Sequence, residues 1–114
     1  MTTENGLVWF DFEPRPGQRV ALHGAYNSLR HMMAWQTIGA SGEALERSRS
    51  ATERLAALRE MTEALAILVA DWDLADKEGR RLPPPADNPE AFGDLTTGIE
   101  GEISWLIGLI RRNL

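Results

Sequence analysis

Two histidines, His23 and His31, are the only imidazoles in the 114-residue chain. No serine sits in a Gly-flanked elbow beside them, so no nucleophile–base–acid order is present. The reading is one histidine at a hairpin end and one on a helix surface. Asp71, Asp73, Asp76 and Glu78 cluster tightly enough to raise calcium. A calcium loop counted from Asp71 would need an oxygen ligand at position 5, glycine at 6 and glutamate at 12. Those positions hold Ala75, Asp76 and Leu82, so the cluster reads as a solvated acidic turn. Gly98 and Gly101 lack the preceding strand and the Lys-Ser/Thr ending of a phosphate loop. Glu100 and Glu102 fall on different sides of a helix and form no catalytic pair. The chain is therefore expected to bind, not to catalyse, with no catalytic residue, metal site or cofactor.

Charge and composition narrow what it binds. The formal net charge is -5, with 12 basic and 17 acidic residues. Arg47 and Arg49 have acids nearby, as do Arg80 and Arg81; Arg111 and Arg112 suit the last turn of a helix, where cations complement the dipole. Nucleic acid is an unsuitable partner, because phosphate neutralisation needs clustered cations and no aromatics interleave with these. Cysteine is absent, which excludes disulfides and thiolate chemistry and suits a reducing cytoplasm. Met1-Thr2-Thr3-Glu4-Asn5 carries no signal-peptide features. The apolar stretches 64–70 and 103–110 fall short of the roughly 20 residues that span a bilayer. Four tryptophans suit both cores and interface hot spots. Trp72 and Trp105 are expected in the core, and Trp35, off its helix's main stripe, is a candidate partner contact.

The positioning elements follow from periodicity. Leu7-Val8-Trp9-Phe10-Asp11-Phe12, then Pro14-Arg15-Pro16-Gly17, then Arg19-Val20-Ala21-Leu22-His23 predict a β-hairpin over 7–23. Tyr26, Leu29, Met33 and Ile38 predict a helix over 25–38, ended by Gly39-Ala40-Ser41-Gly42. Leu55, Leu58, Met61 or Thr62, Leu65, Leu68 and Trp72 predict a long amphipathic helix over 43–72. Ser50-Ala51-Thr52-Glu53 fits a capping box, which leaves open a break near 50. Residues 73–87, with three consecutive prolines, predict a turn or short hairpin. Asn88-Pro89 opens a C-terminal helical part over 88–112. Its stripe is Ile99, Ile103, Leu106, Ile107 and Ile110, with Thr97–Glu100 at capping-box spacing. Gly98, Gly101 and Gly108 suggest that this helix leans closely on a neighbour. The fold class is α+β, predominantly α-helical, in one domain: an N-terminal hairpin on about three helices, with a Pro-rich hairpin or turn before the last.

The segment from Val69 to Pro83, with Trp72, Leu74, Asp76, Gly79, Leu82 and Pro83, resembles one found in tail assembly chaperones of long-tailed bacteriophages and prophages. The order of elements around it is similar too. The resemblance implies a protein that binds the tape measure protein, keeps it soluble and recruits tail tube subunits in the host bacterial cytoplasm. It also implies a short form, as opposed to one extended by frameshifting. Adaptable Met32 and Met33, Trp35, and the apolar Leu106, Leu109 and Ile110 are candidates for the partner or self-association surface. Leu109 lies off the last helix's stripe, which suggests a homo-oligomer. Two other readings remain open: a structural phage component, such as a head–tail completion or minor tail protein, and a small helical protein-binding regulator.

Overall fold

A computed structural model describes residues 2–114. Four antiparallel strands form one sheet in the order β1-β2-β3-β4. They are β1 (Thr2–Glu4), β2 (Leu7–Asp11), β3 (Arg19–His23) and β4 (Val69–Trp72). Three α-helices accompany them: α1 (Leu29–Arg47), α2 (Ala51–Leu68) and α3 (Glu102–Arg112), with a 3-10 helix at Pro89–Asp94. The architecture is α+β with helix predominant, and the expected N-terminal hairpin and three helices are present.

The hairpin pairs Leu7 with His23 through Asp11 with Arg19. β1 was not foreseen. Asn5 and Gly6 both take positive φ, 52° and 78°, as a two-residue hairpin turn requires, and they fold β1 back onto β2. Arg19 lies over the Trp9 ring at 4.7 Å.

The helix boundaries differ from expectation. Ser28 caps α1 by accepting from the His31 N–H at 3.1 Å, so the helix starts at Leu29 and not at residue 25. It then runs through Gly39 and Gly42 instead of stopping there. Each interior glycine costs about 1 kcal/mol relative to alanine. Ala34, Ile38 and Ser41 are buried along this helix, whose main neighbour is α2, and that packing outweighs the cost. The break falls at 48–50. There Glu53 N–H donates to Ser50 Oγ at 3.1 Å, and Glu53 Oε2 accepts from Arg49 N–H at 2.9 Å.

The helix predicted over 43–72 is accordingly divided. Its first residues belong to α1, α2 occupies the middle, and Val69–Trp72 is strand. β4 pairs Val69 with Leu22, Ala21 with Asp71 and Val20 with Trp72, across a bulge. Pairing with β3, remote in sequence, overrides the three- and four-residue spacing that had carried Trp72 into the helix. Leu55, counted on the buried stripe, is 63% exposed.

After β4 the chain makes the expected Pro-rich hairpin. Leu82 N–H donates to Leu74 O at 2.8 Å, and Ala75 bridges Arg81. Gly79 takes φ +81° in the turn. Asp76 Oδ1 accepts from the backbone N–H groups of Glu78 (3.0 Å) and Arg80 (2.9 Å). Those bonds, the Arg80 N–H first, hold its carboxyl below the usual range. Trp72 is fully buried, and its indole N–H reaches Pro83 O at 2.8 Å. Phe92, from the 3-10 helix, packs edge-on against it at 5.0 Å. Leu74 and Leu82 are buried beside them, so all six residues of the Trp72–Pro83 pattern lie in or beside one small hairpin.

The region 88–112 is less helical than predicted. Asn88 makes no side-chain cap bond, and only a 3-10 helix forms before the loop 95–101. The Thr97–Glu100 box does not form, because α3 starts at Glu102. Glu102 N–H donates to Thr96 Oγ1 (2.9 Å) while Thr96 N–H donates to Glu102 Oε1 (3.1 Å), the same reciprocal device at longer spacing. Gly108 was expected at a close helix contact, but a Cβ there would meet only the end of Arg112. Gly101 is the crowded one: a Cβ would come within 2.4 Å of Thr97 O. Trp105 is half-buried, edge-on to Phe12 at 5.0 Å, with its N–H reaching Glu13 Oε2 at 3.2 Å.

Candidate protein-binding groove

A mainly apolar recess lies between the α1–α2 pair and α3, a groove of about 600 Å³. Trp35, Ile38 and Leu45 line it from α1, Leu58 and Met61 from α2, and Ile103 and Ile107 from α3. These residues recur at helical spacing on their own elements, so each helix gives the groove one flank of its stripe. Gly39 and Gly42 line it as well, and a Cβ on either would meet nothing within 4 Å. They leave bare backbone and depth where side chains would fill the space. Glu43 and Glu46 line the α1 side and Arg111 the α3 side. The Arg111 guanidinium lies 5.9 Å from the centre of the Trp35 ring.

Ile99 lines the groove from the loop 95–101 and is 96% exposed. An isoleucine held so fully in water costs apolar hydration that a partner would recover. The loop carrying it is fixed, not loose. Ile103 N–H donates to Thr96 O at 3.0 Å, and Ser104 Oγ donates to Gly98 O at 2.6 Å. Glu102 holds Thr96 and is itself gripped by Arg15, at 2.5 Å from Nε and 3.1 Å from Nη2. Arg15 also donates to Ala75 O (2.7 Å) and Asp94 O (3.3 Å), which ties the β2–β3 loop, the Pro-rich hairpin and the 3-10 helix to α3. Burial alone would raise the Glu102 carboxyl. The hydrogen bonds from Arg15 and Thr96 and the Arg15 charge outweigh it, and the group is held below its usual range.

A second cluster joins the end of β3 to the start of α1. The rings of His23 and His31 lie 4.9 Å apart, and Tyr26 packs edge-on to both. Tyr26 Oη donates to Leu68 O and accepts from His23 N–H at 3.1 Å. Burial raises the Tyr26 phenol to about 12. His31 Nδ1 is buried with no hydrogen-bond partner among the described residues. Its imidazole is held below its usual range, by desolvation first and then by the charges of His23 and Arg30. The two histidines read separately from the sequence are thus one contact.

The candidate surface residues fall into three places. Trp35 is half-buried in the groove wall, and Met32 and Met33 are each 58% exposed on the outer side of α1. Leu106, Leu109 and Ile110 are at most 4% exposed. They are core, not a shared surface, because α3 turns that side inward onto the chain's own core cluster. Leu109, buried within the single chain, offers no surface to a second copy. Missed by the sequence reading were Ile38, Met61, Ile103 and Ile107 as groove walls, and Ile99 at its edge. The Gly39–Gly42 pair was the available signal, but it read as a helix end. No helix among the described residues is long and apolar enough to cross a membrane. In comparisons with known proteins, no family model matches the chain, and no curated protein or solved structure matches it.

Proposed function

We propose that this chain is a tail assembly chaperone of a long-tailed bacteriophage or prophage. It takes an apolar helical stretch of the tape measure protein into the α1–α2–α3 groove, keeps that protein soluble in the host cytoplasm, and releases it as tail tube subunits are recruited. The observation that carries the reading is the groove: apolar walls from three helices, two glycines leaving its side open, and a 96% exposed isoleucine beside it. An amphipathic helix laid in such a groove buries its own stripe against three others without any chemistry. The Val69–Pro83 hairpin, in which the resemblance to tail assembly chaperones resides, is consistent with this role as a scaffold. It anchors Trp72 in the core and, through Arg15, braces α3. A surplus of five negative charges helps keep a complex with an apolar client in solution.

The test is affinity purification of the chain from cells producing phage, with finished particles assayed alongside. The chaperone reading expects a long helical tape measure protein to co-purify and the chain to be missing from particles. The chain at fixed copy number in particles would overturn it in favour of a structural component.

A further inference from the structure

We infer that the outer face of the α1–α2 pair is a two-fold interface for a second copy of this chain. This goes beyond the groove and does not rest on it, since the face lies on the opposite flank of α1. Leu29, Met33, Ala40 and Ala44 recur at i, i+4, i+11 and i+15 along α1, and all are exposed. Leu29 is 72% and Met33 58% exposed. Beside this stripe a depression of about 310 Å³ runs between the helices, floored by Ala34, Ala64 and Ile67.

The charges around it select the occupant. Arg30 lines the α1 side and Glu60 and Glu63 the α2 side. A self-complementary patch of this kind, a cation on one helix and carboxylates on the other across an apolar strip, is what an isologous contact needs. A two-fold axis along the helix pair sets α1 of each copy against α2 of the other at unchanged height. Met33 then meets Ala64 and Ile67 of the second copy, and Arg30 meets Glu63, twice over. In the single chain Arg30 pairs with Asp87, but both side chains are well exposed, so that pair is weak and free to be exchanged. A partner of uniform charge would leave one side of the patch facing its own sign.

Sedimentation velocity of the full chain from micromolar to near-millimolar concentration is the test. The wild type should shift from monomer to dimer with concentration. Met33→Glu, at an exposed site that leaves the fold intact by circular dichroism, should weaken the dimer at least about tenfold. Leu55→Glu, on an exposed part of α2 away from this face, should leave it unchanged. Arg30→Glu and Glu63→Arg should each weaken it, and the double variant should recover most of the loss. A monomer throughout the range, a dimer indifferent to Met33→Glu, or a double variant no better than the singles would overturn the inference.

Discussion

Replacing Arg15 with alanine should be among the most damaging single changes outside the apolar core. Its guanidinium serves two carboxylate oxygens of Glu102 and the carbonyls of Ala75 and Asp94. The two side chains are only 19% and 9% exposed, so solvent screens the pair poorly. Removing the cation leaves Glu102 buried with only its Thr96 bond. Loss of one partner of a buried pair costs about 3–5 kcal/mol. For a chain of this size that is a fall in melting temperature of roughly 10 °C or more. The pH dependence adds a sign. The Glu102 carboxyl sits below its ordinary 4.5 when folded. Its contribution is therefore fully present above pH 4.5 and is lost as pH falls through the lower folded value. The gap between wild type and Arg15→Ala should be full near neutrality and close as the solution is acidified below 4.5. Calorimetry across that range measures it. A loss under 1 kcal/mol at neutral pH, or a gap that does not narrow in acid, would refute the claim that this pair braces the loop beside the groove.

Three further outcomes follow from the same geometry. Trp72→Phe removes the indole bond to Pro83 O and part of a fully buried side chain, and should cost about 2–3 kcal/mol by urea unfolding. His31 is held below its ordinary 6.5 when folded. The unfolded chain binds that proton first, so stability should drop as pH falls from 6.5 through the folded value, and His31→Phe should flatten the drop. A pH-stability curve identical for the two proteins would show that the His23–His31 contact is not acid-sensitive. Gly42→Ala, with open space for its Cβ and an ordinary helical backbone, should stabilise the fold by up to about 1 kcal/mol in thermal melts. A destabilised variant would mean that the glycine meets a contact within the chain.

Legibility in the sequence tracked how local each determinant is. The 7–23 hairpin is written in its β-rich strands and Pro-Gly turn, and the Ser50–Glu53 box marks the start of α2 by itself. The Trp72–Pro83 hairpin is likewise specified by its acidic-Gly turn and the residues beside it. Val69–Trp72 is different: Leu65, Leu68 and Trp72 keep helical spacing, and only Leu22, Ala21 and Val20, some fifty residues away, make the segment a strand. Gly39 and Gly42 misled because tertiary packing of Ile38 and Ser41 sustains a helix that propensity would end. The groove was invisible for a related reason. Its walls look like core stripes until three helices are placed and one flank of each is left uncovered. Leu106, Leu109 and Ile110 show the reverse error: residues on two sides of a helix read as surplus surface, yet α3 is enclosed on both.

The most direct test is to fill the groove without harming the fold. Gly42→Leu places a side chain where the chain itself has open space, so the variant should melt no lower than wild type. On the proposed chaperone function, the wild type co-expressed with a tape measure protein should hold that protein in the soluble fraction and co-purify with it. The account predicts that Gly42→Leu, equally folded and equally abundant, loses both. A variant that still keeps the tape measure protein soluble and bound would contradict the groove as the client site.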